Sequence, residues 1–140
     1  MTATPTVGDE LPERLVTAVR AEDIRMVALI LRDPNPIHYD LAAVQAAGLG
    51  DRAINQGGAT MAYVMNLLTE WAGSRKALRS IECSFRGNVA AGDDVSVGGR
   101  VTAVEPTTDG ALVDVEVWAD VVGGRRAIAG SATVFLAVGA

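Results

Sequence analysis

The sequence predicts an α+β fold, with helices early and strands late. Three observations predict it. Apolar residues recur at helical spacing as far as residue 72, they alternate from about residue 78 onward, and turn signals divide that second region. A sheet with one apolar face needs a cover, and the helix ending at residue 72 is the best candidate to lie across it. At 140 residues, 49% of them hydrophobic, the chain suits one domain with one core.

In chain order, residues 1–7 read as a flexible N-terminus before a single domain over residues 8–140. A first strand is expected at residues 15–19. A helix follows over residues 22–31, with Ile24, Val27, Ala28 and Leu31 on one face. Glu22 and Asp23 suit its first turn, where backbone N–H groups lack partners, and Pro34 stops it. Asp40 N-caps a short helix that runs to Ala47 and is closed by Gly48.

The long helix is expected over residues 59–72. Met61, Val64, Met65, Leu68, Trp71 and Ala72 form one stripe, and Ala59, Ala62, Tyr63 and Leu67 make much of the rest apolar. That composition predicts burial on most sides, and its small residues would let a curved sheet wrap closely. About four antiparallel strands follow, separated at Gly92-Asp93, Asp109-Gly110 and Gly123-Gly124. The clearest alternation sets Val113, Val115, Val117 and Ala119 against Asp114, Glu116, Trp118 and Asp120.

Composition excludes several classes. The net charge is −5 and Lys76 is the only lysine, so no cationic surface for nucleic acid is expected. Arg75-Lys76 with Arg79, and Arg125-Arg126, read as solvated charge and suit a small phosphorylated ligand better than a duplex. Cys83 stands alone, which rules out an intrachain disulfide. No signal peptide and no apolar run of about 18 residues is seen, so the expectation is a cytoplasmic protein with no membrane partner. One histidine and one cysteine cannot build the usual nitrogen and sulfur cage, so no metal is expected.

The chemistry is expected at Asp33-Pro34-Asn35-Pro36-Ile37-His38. A residue before proline is pushed into extended geometry, which happens here at both Asp33 and Asn35. Pro34 and Pro36 fix their own φ angles. The loop is therefore stiff and holds an acid near the only histidine, the side chain best able to exchange a proton near neutrality. The same residues are also ordinary turn formers.

This hexapeptide resembles the D-x-N-P-x-H signature of the MaoC-like, or R-specific enoyl-CoA hydratase, family. The resemblance extends from about Val7 to Val138. A short helix precedes the signature, Gly57 opens the long helix, Phe85-Arg86 with Gly92-Asp93 matches a strand and turn, and Gly130-Ser131-Ala132 matches the last strand. It implies the hot-dog fold, a long central helix wrapped by a curved antiparallel sheet.

It also implies reversible hydration of a 2-enoyl thioester to an (R)-3-hydroxyacyl thioester. Asp33 and His38 would hold and activate the water, with His38 favoured as base. Asn35 and Pro36 would shape the loop. The Gly57 N–H, with Gly58 beside it, would receive charge on the thioester oxygen. No cofactor is implied beyond CoA or an acyl carrier protein as the carrier of the substrate, with CoA favoured. Two departures flank the site. Arg32 stands where the family has glycine, and Gln56 where it has histidine; both are read as supporting positions. Gly58 and Ala59 replace larger residues, which is either a neutral repacking or a widening of the pocket for a bulky or branched acyl group.

Partners implied are an acyl-thioester substrate and a second hot-dog subunit, in a homodimer, a higher oligomer or a heterodimer. The alternatives are a partner-dependent or non-catalytic subunit of a heteromeric hydratase, an acyl-CoA thioesterase and a plain acyl-binding module.

Overall fold

Period-two alternation decides which side of the sheet is the core. The computed structural model describes residues 3–139, and in it the valines expected to point inward do so. Val95, Val97 and Val101 on β3 (Val95–Thr107), Val113, Val115 and Val117 on β4 (Gly110–Val121), and Ile128 and Val134 on β5 (Arg126–Ala137) are all essentially inaccessible. Burying a side chain of this size stabilises by about 1.5–3 kcal/mol, so this one face supplies much of the fold's driving force.

Two further strands complete the sheet, β1 (Arg14–Val16) and β2 (Leu78–Phe85). The order is β1-β3-β4-β5-β2, and every pairing is antiparallel. β3, β4 and β5 are hairpin neighbours. β2 instead skips to β5, leaving its other side as a free edge.

The helix α3 (Gly57–Ala72) crosses the apolar face and touches β2, β3, β4 and β5. Val64, Leu67 and Leu68 join the strand valines in one cluster. This is the hot-dog arrangement. α1 (Ala21–Leu31), a 3-10 turn (Pro36–His38) and α2 (Leu41–Ala46) form an excursion between β1 and α3. Asp40 caps α2 by accepting from the N–H groups of Ala42 and Ala43.

Several expectations need correction. The first strand is not residues 15–19. It ends at Val16, because Ala18 adopts a left-handed φ of 45° that no strand can contain. The stripe expected on α1 is only half buried. Ile24 and Ala28 are inside, whereas Leu31 is 59% exposed. That helix stops at Arg32, which takes the left-handed conformation before Pro34 is reached.

α3 begins two residues earlier than expected. It is also not buried on most sides, since Gly57, Gly58, Met65, Asn66 and Glu70 face outward. Its buried face includes Thr60, absent from the expected stripe.

Glycine is required at 130 for a steric reason. A Cβ there would overlap the Glu82 carbonyl oxygen and meet the Cys83 Cα at 3.0 Å, across the β5–β2 pairing. Both obstacles are backbone, so relief requires the strands to separate. Gly130→Ala is expected to destabilise by about 3 kcal/mol, the upper end of overpacking costs, read as a lower denaturant midpoint with an unchanged slope.

Candidate active site

The histidine loop is built from a series of local hydrogen bonds. The Asp33 N–H donates to Ala28 O at 2.9 Å, which ends α1 and sets the direction of the chain. Asp33 Oδ1 then accepts from the Asn35 N–H at 3.0 Å, and Asn35 Oδ1 accepts from the Ile37 N–H at 3.3 Å. Two successive side-chain-to-backbone turns of this kind hold the segment that the prolines have already restricted. The Tyr39 hydroxyl adds a 3.2 Å bond to Pro34 O.

His38 is brought inside by exchange with the segment before α3. The Ile54 N–H donates to Ile37 O at 3.0 Å, and His38 Nδ1 lies 2.6 Å from Ile54 O. A carbonyl only accepts, so Nδ1 carries the hydrogen. That leaves Nε2 directed at Asp33 Oδ2, 3.1 Å away. The imidazole side chain is 7% exposed and the carboxylate 30%. Unprotonated Nε2 and a carboxylate oxygen are both acceptors, so one exchangeable proton completes their contact. Such a pair can share a proton or accept two hydrogen bonds from one water.

The start of α3 is two residues beyond Asn55. Gln56 is the N-cap residue but its side chain makes no capping bond. The N–H groups of Gly57 and Gly58 have no partner among the described residues, as the first amides of a helix lack intrahelical acceptors. They lie at the positive end of a 16-residue helix. The Phe85 ring packs on Gly57, where a Cβ would meet Cε1 at 3.0 Å, whereas nothing lies near the corresponding position of Gly58.

Gln56 and Arg32 occupy supporting positions with clear geometry. Gln56 Nε2 donates to Ile24 O at 3.0 Å, tying the entrance of α3 to α1, while its buried Oε1 has no partner. Arg32 sits at φ 52°, ψ 42°. Left-handed geometry costs a residue with a Cβ roughly 1 kcal/mol.

Two clefts flank α1. One, of about 520 Å³, contains Asp33 with Arg25, Arg32, Leu29 and Tyr39. The other, of about 540 Å³, is largely apolar and runs from Gly58 past Ala59 and Ala62 to Val16 and Asn66, with Val27 and Leu31 as a wall.

Sequence reasoning missed two polar groups in the second cleft. Buried Asn55 donates through Nδ2 to Thr60 Oγ1 at 3.0 Å and to the Tyr63 hydroxyl at 3.3 Å. Burial raises the Tyr63 pKa, the Asn55 hydrogen bond opposes this, and the charge of Asp23 adds to it. Tyr63 is therefore a neutral hydroxyl facing an apolar space. The i, i+3 spacing of Thr60 and Tyr63 was the available signal. The Ile54 carbonyl offered none, since any residue carries one.

The cations named from sequence lie elsewhere. Arg79 stacks on Phe135, Arg126 pairs with Asp120 over Trp118, and Arg125 donates to Arg86 O. No helix is long and apolar enough to cross a membrane, and no group of three metal-ligating residues occurs among the described residues.

Residues 3–122 match the MaoC like domain family. No curated protein matches the chain. Among solved structures, the (R)-hydratase from A. caviae involved in PHA biosynthesis is 23% identical, with a TM-score of 0.81 over 96% of this chain and 99% of that one. The ChsH1-ChsH2 complex from Mycobacterium tuberculosis is 26% identical, with a TM-score of 0.78 over 94% of this chain and 98% of that one. A MaoC-like dehydratase is 27% identical, with a TM-score of 0.85 over 95% of this chain and 41% of that one.

Proposed function

The chain belongs to the MaoC-like domain family, and from that premise we propose that it adds water reversibly across a 2-enoyl thioester to give the (R)-3-hydroxyacyl thioester. The observation that carries this reading is His38 Nε2 facing Asp33 Oδ2 at 3.1 Å, with Nδ1–H held by Ile54 O.

A water donating to both acceptors presents its lone pair outward. As its oxygen bonds C3 of the enoyl group, one O–H bond breaks and the proton passes to His38 Nε2. The C2=C3 π electrons move toward the thioester oxygen, and the N–H groups of Gly57 and Gly58 stabilise the enolate. Nε2–H then returns a proton to C2. Atoms balance, and the pair ends as it began. Dehydration runs the same steps in reverse.

The acyl tail belongs in the cleft beyond Gly58. Its floor is Gly58, Ala59 and Ala62, so it has room for branched or bulky groups. The free edge of β2 pairs with the same strand of a second hot-dog chain. That edge carries Phe85, 56% exposed and packed on Gly57.

A second reading is favoured by the ChsH1-ChsH2 complex among the similar structures. Under that reading this chain's partner is a different hot-dog subunit, and full activity requires both. The test is a panel of enoyl-CoA esters of increasing length and branching, followed by loss of the ultraviolet absorbance of the conjugated thioester. Turnover by this chain alone is expected. Inactivity across the panel, with turnover restored by a companion chain, establishes the second reading. Release of free CoA thiol without hydration contradicts both.

A further inference from the structure

The cleft that contains Asp33 has a charge pattern the hydration chemistry does not use. Arg25 and Arg32 both line it, and neither takes part in an ion pair among the described residues. They are seven residues apart along α1, roughly 10 Å at the helical rise. Between them lies an exposed apolar surface, with Leu29 75% and Tyr39 49% exposed.

Asp33 is the one carboxylate lining this cleft. Its oxygens are engaged by the Asn35 N–H and by His38 Nε2, and it forms no ion pair with either arginine. Arg32 also holds its place at φ 52°, a conformation glycine would adopt without strain. Strain of this kind clusters at active sites and ligand clamps.

We propose that the Arg25–Leu29–Arg32 face binds the phosphorylated arm of CoA, with the pantetheine chain lying over Leu29 and Tyr39 toward Asp33. Two separated cations call for a ligand with phosphate at two places. CoA carries a diphosphate and a ribose phosphate, whereas phosphopantetheine on a carrier protein carries a single phosphodiester. Guanidinium groups suit this task because their fork of donors matches phosphate oxygens. The assignment rests on the hydration reading for the direction of the arm, but not for the binding itself.

The experiment compares the parent protein with Arg25→Gln, Arg32→Gly and the double variant. Arg32→Gly relieves the left-handed strain, so loss of fold is not the expected outcome. KM for crotonyl-CoA is expected to rise about tenfold per arginine, equivalent to about 1.4 kcal/mol each, with little change in kcat. KM for crotonyl-pantetheine, which has no phosphate, is expected to stay constant. CoA alone, titrated by calorimetry, is expected to lose affinity in parallel.

Unchanged KM and CoA affinity in the double variant overturns the assignment and leaves hydration standing. Arginine-dependent CoA binding with no turnover of any enoyl thioester does the opposite. A defect as large on crotonyl-phosphopantetheine as on crotonyl-CoA overturns the two-phosphate assignment, because a carrier protein presents that same single phosphate.

Discussion

Asp33→Asn and His38→Gln are each expected to lower kcat for enoyl-CoA hydration by about 10²–10⁴-fold, the range for loss of a positioned acid or base. Asp33→Asn isolates the chemistry well, because the loop constrains the orientation of the new amide. The Asn35 N–H needs an acceptor at the position of Oδ1, so the amide oxygen stays there. The amide NH2 then faces His38 Nε2 at the position of Oδ2. It fills the lone pair that must receive the proton from water, and leaves the fold in place. In His38→Gln the side chain retains hydrogen-bonding capacity toward Ile54 O but presents no basic nitrogen. Both variants should keep their circular dichroism and lose no more than a few degrees in Tm. Either one retaining more than roughly a tenth of parental kcat contradicts the assignment.

The second large effect is expected at Gly57, and proline is the informative replacement. Gly57 is the first residue of α3, where proline is favoured because the missing N–H has no intrahelical acceptor. Gln56, at φ −64° and ψ 142°, already has the extended geometry that a residue before proline adopts. The obstacle is the Phe85 ring at 3.0 Å, so the substitution is made in a Phe85→Ala background with that single variant as control. Removing one preorganised donor to a developing oxyanion lowers kcat by about 10²–10³-fold. KM is expected to change far less, because the charge develops only after binding. A fall in Tm without a fall in kcat would show that this N–H serves the helix alone.

What was legible in the chain follows physical lines. The Asp33–His38 loop was readable because proline restricts both itself and its predecessor, a local rule that no distant contact overrides. The strands were readable because alternation reports one buried face directly. The order β1-β3-β4-β5-β2 was not, since nothing in Leu78–Phe85 says that it pairs with Arg126–Ala137 rather than with its sequence neighbour.

Apolar periodicity places the start of α3 at residue 59, because Gly57-Gly58 carry no apolar side chain, whereas the family resemblance places it at Gly57. For α1, helical periodicity shows which residues share a face, and not whether anything covers it. Leu29, Ile30 and Leu31 are each more than half exposed. The partner that orients His38 is a backbone carbonyl, and side-chain identity carries no information about that. An apolar reading of the long helix has no place for the Tyr63 hydroxyl as a polar partner, and Asn55 lies ahead of that helix, outside its pattern.

The resemblance to MaoC-like proteins supplies what geometry alone leaves open, namely which reaction the Asp33–His38 pair would carry out. The geometry in turn gives Gln56 a structural role, whereas the backbone at Arg32 would suit glycine equally. Gln56 joins α3 to α1 through Ile24 O, and Arg32 completes the C-terminal turn of α1 with its N–H on Leu29 O at 3.2 Å. Neither substitution disturbs the Asp33–His38 contact.

The central claim is that water is added to carbon and not to the thioester carbonyl. It is tested most directly by turnover of crotonyl-CoA in heavy-oxygen water, with mass analysis of the product and of both loop variants. The expected product is (R)-3-hydroxybutyryl-CoA carrying the label in its 3-hydroxyl group, formed by the parent and nearly absent with Asp33→Asn or His38→Gln. Label recovered in a free carboxylate together with CoA thiol, or in the 3-hydroxyl at parental rates in both variants, would contradict it.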